Sequence, residues 1–112
     1  ILVLTSISEA QPLVMLEAGA AGIPMVVTDV GACREIIEGT PAEEPHLGDG
    51  GIVTPLASPA STADAIYTLL SDPARYDAAS TAIATRIAQY YNQTIQHQAY
   101  RTLYAQYLRH AA

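Results

Sequence analysis

Two short apolar runs, Ile1–Thr5 and Pro24–Thr28, flank one stretch of helix length, and this spacing constrains the fold more than any other feature. Neither run is long enough for a buried helix, so each reads as a strand buried on both faces. Between them, Ser6–Gln11 is a polar loop. Pro12 suits the first position of a helix, because the N–H it lacks would go unpaired there. The helix is expected over Leu13–Ala21, stopped by Gly22 with Pro24 close behind. Strand, helix and strand in that order make a β-α-β unit, the building block of a parallel sheet. The last helical turn, Ala18-Gly19-Ala20-Ala21, is all small, which predicts another backbone packed closely against it.

The pattern continues beyond Thr28. Asp29–Ala32 turns the chain into a short helix over Arg34–Ile37, ended by Gly39. Thr40–Gly51 is rich in Pro, Glu, Gly and Asp and reads as a solvated loop. Gly51–Thr54 is a short third strand, stopped by Pro55. Three helices follow: one capped by Ser61 or Thr62 and running through Leu70, one entered at Pro73 and reaching about Tyr91, and one over roughly Ile95–Arg109. The fold class is therefore α/β, a Rossmann-like parallel sheet with C-terminal helices. At 112 residues the chain suits one domain. It opens directly on the Ile1–Thr5 run, as a strand already under way, which carries the expectation that it is a piece of something longer.

Composition narrows the function. Lysine is absent, and the basic residues are Arg34, Arg75, Arg86, Arg101 and Arg109 against eleven acids, for a net charge of -6. A nucleic-acid surface needs clustered cations to displace counterions, so nucleic acid is a poor partner. No apolar run approaches the roughly 18 residues of a transmembrane helix. Cys33 is the one cysteine, which excludes an internal disulfide and fits a reducing, cytoplasmic setting.

The loop after the first strand and the helix beyond it lie at the carboxyl end of a parallel strand, where open α/β sheets bind ligands. A helix N-terminus offers unpaired N–H groups and a positive dipole end to phosphate. Pro12 cannot donate, so Leu13 and Val14 are the expected donors. Glu17 projects from the same helical face, about 6 Å further along the axis. A phosphate at the helix tip would place a neighbouring ribose against Glu17, whose carboxylate accepts two hydroxyl hydrogen bonds at once. Glu9, in the loop, would meet the group beyond the phosphates, which in a nucleotide sugar is the hexose. The plainer reading is that acids near a helix start are favoured by the dipole alone, and that Glu17 is a solvated surface residue.

The string Ser8-Glu9-Ala10-Gln11-Pro12-Leu13-Val14-Met15-Leu16-Glu17-Ala18 resembles the paired-glutamate motif of the family 4 glycosyltransferases, retaining enzymes of the GT-B fold. The likeness continues through Ala21-Gly22-Ile23-Pro24, Thr28-Asp29-Val30-Gly31, Cys33-Arg34-Glu35 and Gly51–Pro55. The last forty residues match in character more than in motif. Gln11-Pro12-Leu13 and Asp29–Glu35 look closest to the PelF-type exopolysaccharide glycosyltransferases, which use UDP-glucose in the cytosol. The resemblance implies that Glu9 is the catalytic-site acid on the donor sugar, that Gln11, Pro12, Leu13 and Val14 line the donor pyrophosphate, and that Glu17 holds the ribose. It implies a partial GT-B C-terminal domain over residues 1–92, with residues 93–112 a helix that packs on an N-terminal domain. Many relatives carry glycine where Pro12 stands, which leaves one donor fewer. The enzymes need no metal or other cofactor. The family's phosphate-binding Arg and Lys lie upstream of the motif, so the isolated chain is expected to be inactive in transfer.

Other residues carry weaker signals. His46, His97 and His110 lack metal-ligand spacing and read as surface or satisfied histidines. Cys33, with no histidine near it in sequence, reads as a structural thiol. Gly31 either lets backbone approach the donor or simply makes a tight turn. Tyr100, Tyr104 and Tyr107 follow a helical period and, with Leu103, form a stripe of the kind that is usually core. Under the resemblance it would pack on the N-terminal domain, and without that domain it would be exposed and self-associate. The alternative function is a non-catalytic nucleotide- or protein-binding module. A dinucleotide-binding dehydrogenase is disfavoured, because no G-x-G-x-x-G follows Ile1–Thr5.

Overall fold

The computed structural model describes residues 1–110, with the side chain of His110 left outside, so the histidine reading made there is not addressed. Eight elements follow in order: β1 (Leu2–Leu4), α1 (Leu13–Ala20), β2 (Met25–Thr28), α2 (Cys33–Glu38), β3 (Gly51–Thr54), α3 (Pro59–Ser71), α4 (Pro73–Tyr90) and α5 (Gln93–His110). The strands form one parallel sheet in the order β1-β2-β3, with Val3 opposite Val26 and Val26 opposite Ile52.

Only the second apolar run is buried on both faces: among the described residues β2 is the central strand, whereas β1, expected to be buried on both faces, lies at the edge of the sheet with Val3 39% exposed. All four residues of β2 are buried, and they alternate between two layers, as the period of a strand requires. Met25 and Val27 face a cluster made with Met15 of α1, Cys33, Ile36 and Ile37 of α2, and Ile83 and Ile87 of α4. Val26 points the other way, into Ala65 and Leu69 of α3 and Ala79 of α4. The sheet is thus sandwiched between helices.

Several local expectations are revised. Pro12 is the N-cap residue rather than the first helical one: its ψ of 116° is extended, and its carbonyl accepts from Met15 N–H at 3.1 Å. The helix therefore begins at Leu13, and the N–H that proline lacks lies outside the helical turn. At the other end Gly22, at φ 70°, closes a Schellman motif. Its N–H donates to Gly19 O at 2.9 Å and Ile23 N–H donates to Ala18 O at 3.0 Å. The small turn before it does meet a close neighbour, but that neighbour is a pair of side chains, not a backbone. A Cβ on Gly19 would lie 2.7 Å from Ile87 and 2.9 Å from Ile83.

Neither Ser61 nor Thr62 caps α3, because Pro59 already starts the helix with Ser58 as N-cap. Asp72 caps α4 by accepting from Arg75 N–H at 3.1 Å. Asn92 does the same for α5, accepting from Ile95 N–H at 3.0 Å, so that helix starts two residues earlier than the apolar period indicated.

The stretch after α2 is not simply a solvated loop. Glu43 is 5% exposed and Arg86 of α4 is 1% exposed. They form a bidentate ion pair at 2.6 and 2.7 Å. The remaining N–H groups of Arg86 donate to the carbonyls of Ile36, Ile37 and Gly48, and Leu47 N–H donates to Glu43. Every donor of the guanidinium is thus used, as burial of a charge demands. The helix α5 departs most from expectation. Residues 93–109 are exposed throughout, so the tyrosine stripe is not core. The projecting helix stretches the molecule to 59 Å against 28 and 23 Å, with a radius of gyration of 16.2 Å, above the roughly 13 Å of a compact 100-residue domain.

Candidate functional site

The carboxyl ends of β1 and β2 lead into two loops that brace one another. The Thr28 hydroxyl, on a residue 4% exposed, donates to the Ser6 carbonyl, tying the end of β2 to the loop after β1. Ala32 N–H donates to Ala10 O at 2.8 Å. Between these ties sits Gly31 at φ 50°, where a Cβ would fall 2.1 Å from the Glu9 carbonyl oxygen. Both the left-handed backbone and the close approach require glycine there. What the glycine makes possible is a tight turn packed on the chain's own Glu9–Ala10 segment, which agrees with the tight-turn reading of Gly31.

That bracing fixes Glu9. It is half-buried, and Ser6 Oγ donates to its Oε1 at 2.7 Å. It lies toward α2, close enough to Cys33 to act on it electrostatically. Burial pushes the Cys33 thiol above its ordinary range, with the Glu9 and Asp29 carboxylates adding to the effect. A fully buried thiol held protonated is a packing group, in line with a structural role. Gln11 is exposed and Pro12 is buried beneath the tip of α1.

The tip itself is open. Leu13 and Val14 are 68% and 41% exposed. Their N–H groups have no acceptor among the described residues, and no side chain caps the helix. Both amides of the expected pair thus face outward at the helix tip without a protein partner. Glu17 is also exposed and shares with Leu13 a cleft of about 560 Å³, within the range that holds small ligands. Its other wall is the corner where α4 turns into α5. This follows from the antiparallel packing of α1 on α4: Ser80 Oγ reaches the Gly22 carbonyl at one end, while Ile87 and Tyr91 come level with Leu13 and Glu17 at the other. The tip of α1 therefore stands between Glu9 on the α2 side and the Glu17 cleft on the α4–α5 side. Glu9, Gln11 and Val14 do not line the cleft.

The contribution of α4 and α5 to this cleft was invisible in sequence, since Tyr91 lies 74 residues from Glu17. The Tyr91 hydroxyl donates to Glu35 at 3.0 Å, and burial together with that carboxylate raises its phenol well above the usual range.

Among the described residues, the arginines before α5 are committed or placed away from the tip. Arg34 donates to both oxygens of Asp29 at 3.1 and 2.7 Å and to Glu38 at 2.6 Å. This hydrogen bonding holds the Asp29 carboxyl below its ordinary value and raises the guanidinium further. Arg86 is consumed by Glu43. Arg75 is in the first turn of α4, about 24 Å along the axis from the corner. Among the described residues no three of His, Cys, Asp and Glu gather as a metal-ligand set, and no helix is long and apolar enough to cross a membrane.

A family profile described as glycosyl transferases group 1 matches residues 1–72, the span from β1 through α3. No curated protein sequence matches the chain. Among solved structures, a sucrose-phosphate synthase from Thermosynechococcus elongatus superposes with a TM-score of 0.73 at 28% identity. The alignment covers 92% of this chain and 25% of that one, so the chain spans about a quarter of that enzyme's length. The parallel sheet and its helices are thus an α/β, Rossmann-like arrangement matching a fragment of a GT-B glycosyltransferase.

Proposed function

Because this chain belongs to the glycosyl transferases group 1 family, we propose that it is the donor-binding part of a retaining glycosyltransferase. The enzyme moves a hexose from a nucleotide sugar, UDP-glucose on the resemblance to PelF-type enzymes, to a polysaccharide or glycan acceptor. The work is cytoplasmic and metal-independent. A second domain of the same enzyme packs on α5 and supplies the acceptor side. The similarity to a sucrose-phosphate synthase supports glycosyl transfer as the reaction class.

The observation that carries the reading is the open tip of α1, with the unpaired Leu13 and Val14 amides, Glu17 in a cleft on one side and Glu9 braced on the other. In the proposed mode the two amides and the positive helix end take the diphosphate. Gln11 and Pro12 form its approach, Glu17 accepts the ribose hydroxyls, and Glu9 meets the hexose. During transfer the bond from the anomeric carbon to the diphosphate breaks, and oriented amides stabilise the negative charge that develops on the leaving group. Two amides without a cation supply only part of that stabilisation.

This sets the test. Calorimetry is expected to detect UDP binding to the chain, and Glu17→Ala weakens it about tenfold, the loss of a charge-assisted hydrogen bond. Radiolabelled UDP-glucose incubated with the chain and glycan acceptors is expected to yield no transfer. Binding indifferent to Glu17→Ala, or turnover by the chain alone, contradicts the reading. The shortage of cations at the tip favours one alternative, a module that binds nucleotide without catalysis. Reconstitution separates the two: Glu9→Ala in a complete enzyme abolishes transfer in the first case and leaves it unchanged in the second.

A further inference from the structure

The first turn of α5 brings a feature to the donor cleft that no motif marks. Gln93 and Gln96 are three residues apart and share a helical face. Both line the cleft that holds Glu17. Both are exposed, and neither side chain has a hydrogen-bond partner among the described residues. Asn92, beside them, is already committed: its Oδ1 caps Ile95 N–H and its Nδ2 donates to Ala88 O at 2.7 Å. The floor between the two walls is apolar, with Leu16, Ile87 and the ring of Tyr91. A cleft with an apolar floor, an unpaired carboxylate on one wall and two unpaired carboxamides on the other has the polarity pattern of a small-molecule site.

We propose that Gln93 and Gln96 hold the ribose of the donor nucleotide from the side opposite Glu17, which makes the α4–α5 corner a second wall of the nucleoside subsite. The inference rests on the donor-binding reading above and adds to it residues from outside the span that the family profile matches.

The chemistry is one of complementary hydrogen bonds. Each ribose hydroxyl has one proton to donate and two lone pairs to fill. The Glu17 carboxylate only accepts, so it takes the two protons and leaves the oxygens without donors. A glutamine carboxamide supplies two N–H donors. Glu17 from α1 and Gln93 and Gln96 from α5 together complete what a vicinal diol offers, and neither wall does so alone. The arrangement also gives α5 a role at the site: where α5 is held, the ribose is held.

The test compares UDP with 2′,3′-dideoxy-UDP, which has the same base and phosphates and lacks the diol. Wild-type chain is expected to prefer UDP. Gln93→Leu combined with Gln96→Leu weakens UDP binding roughly tenfold and leaves dideoxy-UDP binding unchanged, so the preference collapses. Both positions are exposed, and circular dichroism checks that the variant retains its fold. Equal weakening of both ligands, or no weakening of either, overturns the role of the two glutamines. If UDP binding still depends on Glu17 in that case, the donor-site reading stands without this addition. Absence of UDP binding by wild type overturns both.

Discussion

At the scale of single residues, the strongest commitment in the chain is the buried Glu43–Arg86 pair. Removing one member of a buried ion pair strands the other in a medium that cannot solvate it, at about 3–5 kcal/mol. A domain of this size has only about 5–15 kcal/mol in total. Arg86→Met is therefore expected to lower the urea midpoint sharply, since it leaves the Glu43 carboxylate buried without its partner. The pair also sets an acid limit. Hydrogen bonds from Arg86 hold the Glu43 carboxyl down at about 2, against an ordinary value of 4.5. A group whose value is depressed in the folded state contributes stability that is fully present above the ordinary value and disappears as pH falls through the depressed one. The melting temperature should therefore fall between about pH 4.5 and pH 2. Glu43→Gln, which begins less stable, should have a flatter profile in that window. A wild-type profile flat across it would show that the pair contributes nothing in acid. None of this was legible in sequence. Glu43 sits in a Pro-, Glu- and Gly-rich stretch whose composition says solvent, and only its encounter with an arginine 43 residues later removes it from solvent. Glu9 and Glu17, by contrast, were legible as candidates, because they fall at matching positions of a family motif and flank the start of α1, a place readable from local sequence.

At the scale of elements, α1 is the helix on which the site depends, and its length and ends were readable. Gly22 and Pro24 stop it because of local backbone chemistry, which needs no tertiary partner. Its face was less readable. A run of small residues signals close packing without saying what packs, and here Ile83 and Ile87 of α4 fill the space over Gly19. Gly19→Ala is expected to force those side chains aside at a cost of about 1–3 kcal/mol. The measurable consequence is twofold: a lower melting temperature, and weaker UDP binding as α1 shifts against the α4–α5 corner. A variant as stable as wild type would mean that the α1–α4 contact has slack. The position of Pro12 illustrates the same limit on a smaller scale. Its fixed φ suits both the last residue before a helix and the first residue in it, and sequence does not choose. The structure places it before the helix, so every amide of the first turn is retained.

At the scale of the whole molecule, charge and apolar surface are unevenly distributed. All eleven acids lie at or before Asp77, while α5 carries Arg101 and Arg109 and no acid. Tyr100 and Tyr104 stack on each other, with ring centroids 6.3 Å apart, and Tyr107 and Leu108 extend the same exposed face. An 18-residue helix alone in water is marginal, and most helical stability in proteins comes from packing. In the complete enzyme the proposed cover for α5 is the second domain. The isolated chain is expected to pair α5 with another surface, and an acidic body with a basic, aromatic helix suits association between copies. Sedimentation velocity should detect a concentration-dependent dimer, weakened by Tyr104→Ser with Tyr107→Ser. A monomer at all concentrations would remove self-association from the account.

The sequence by itself determined the order of elements, the parallel sense of the sheet and the limits of α1. Each of these follows from interactions within a few residues: strand and helix periodicity, and glycine and proline backbone preferences. The tertiary structure decided the partners. It buried Glu43, bound Arg34 to Asp29 and Glu38, brought the α4–α5 corner across from Glu17, and left the tyrosines of α5 in water rather than in a core. Those outcomes depend on groups far apart in the chain meeting in space, and whether a charge is paired or an apolar stripe covered is settled only when they do.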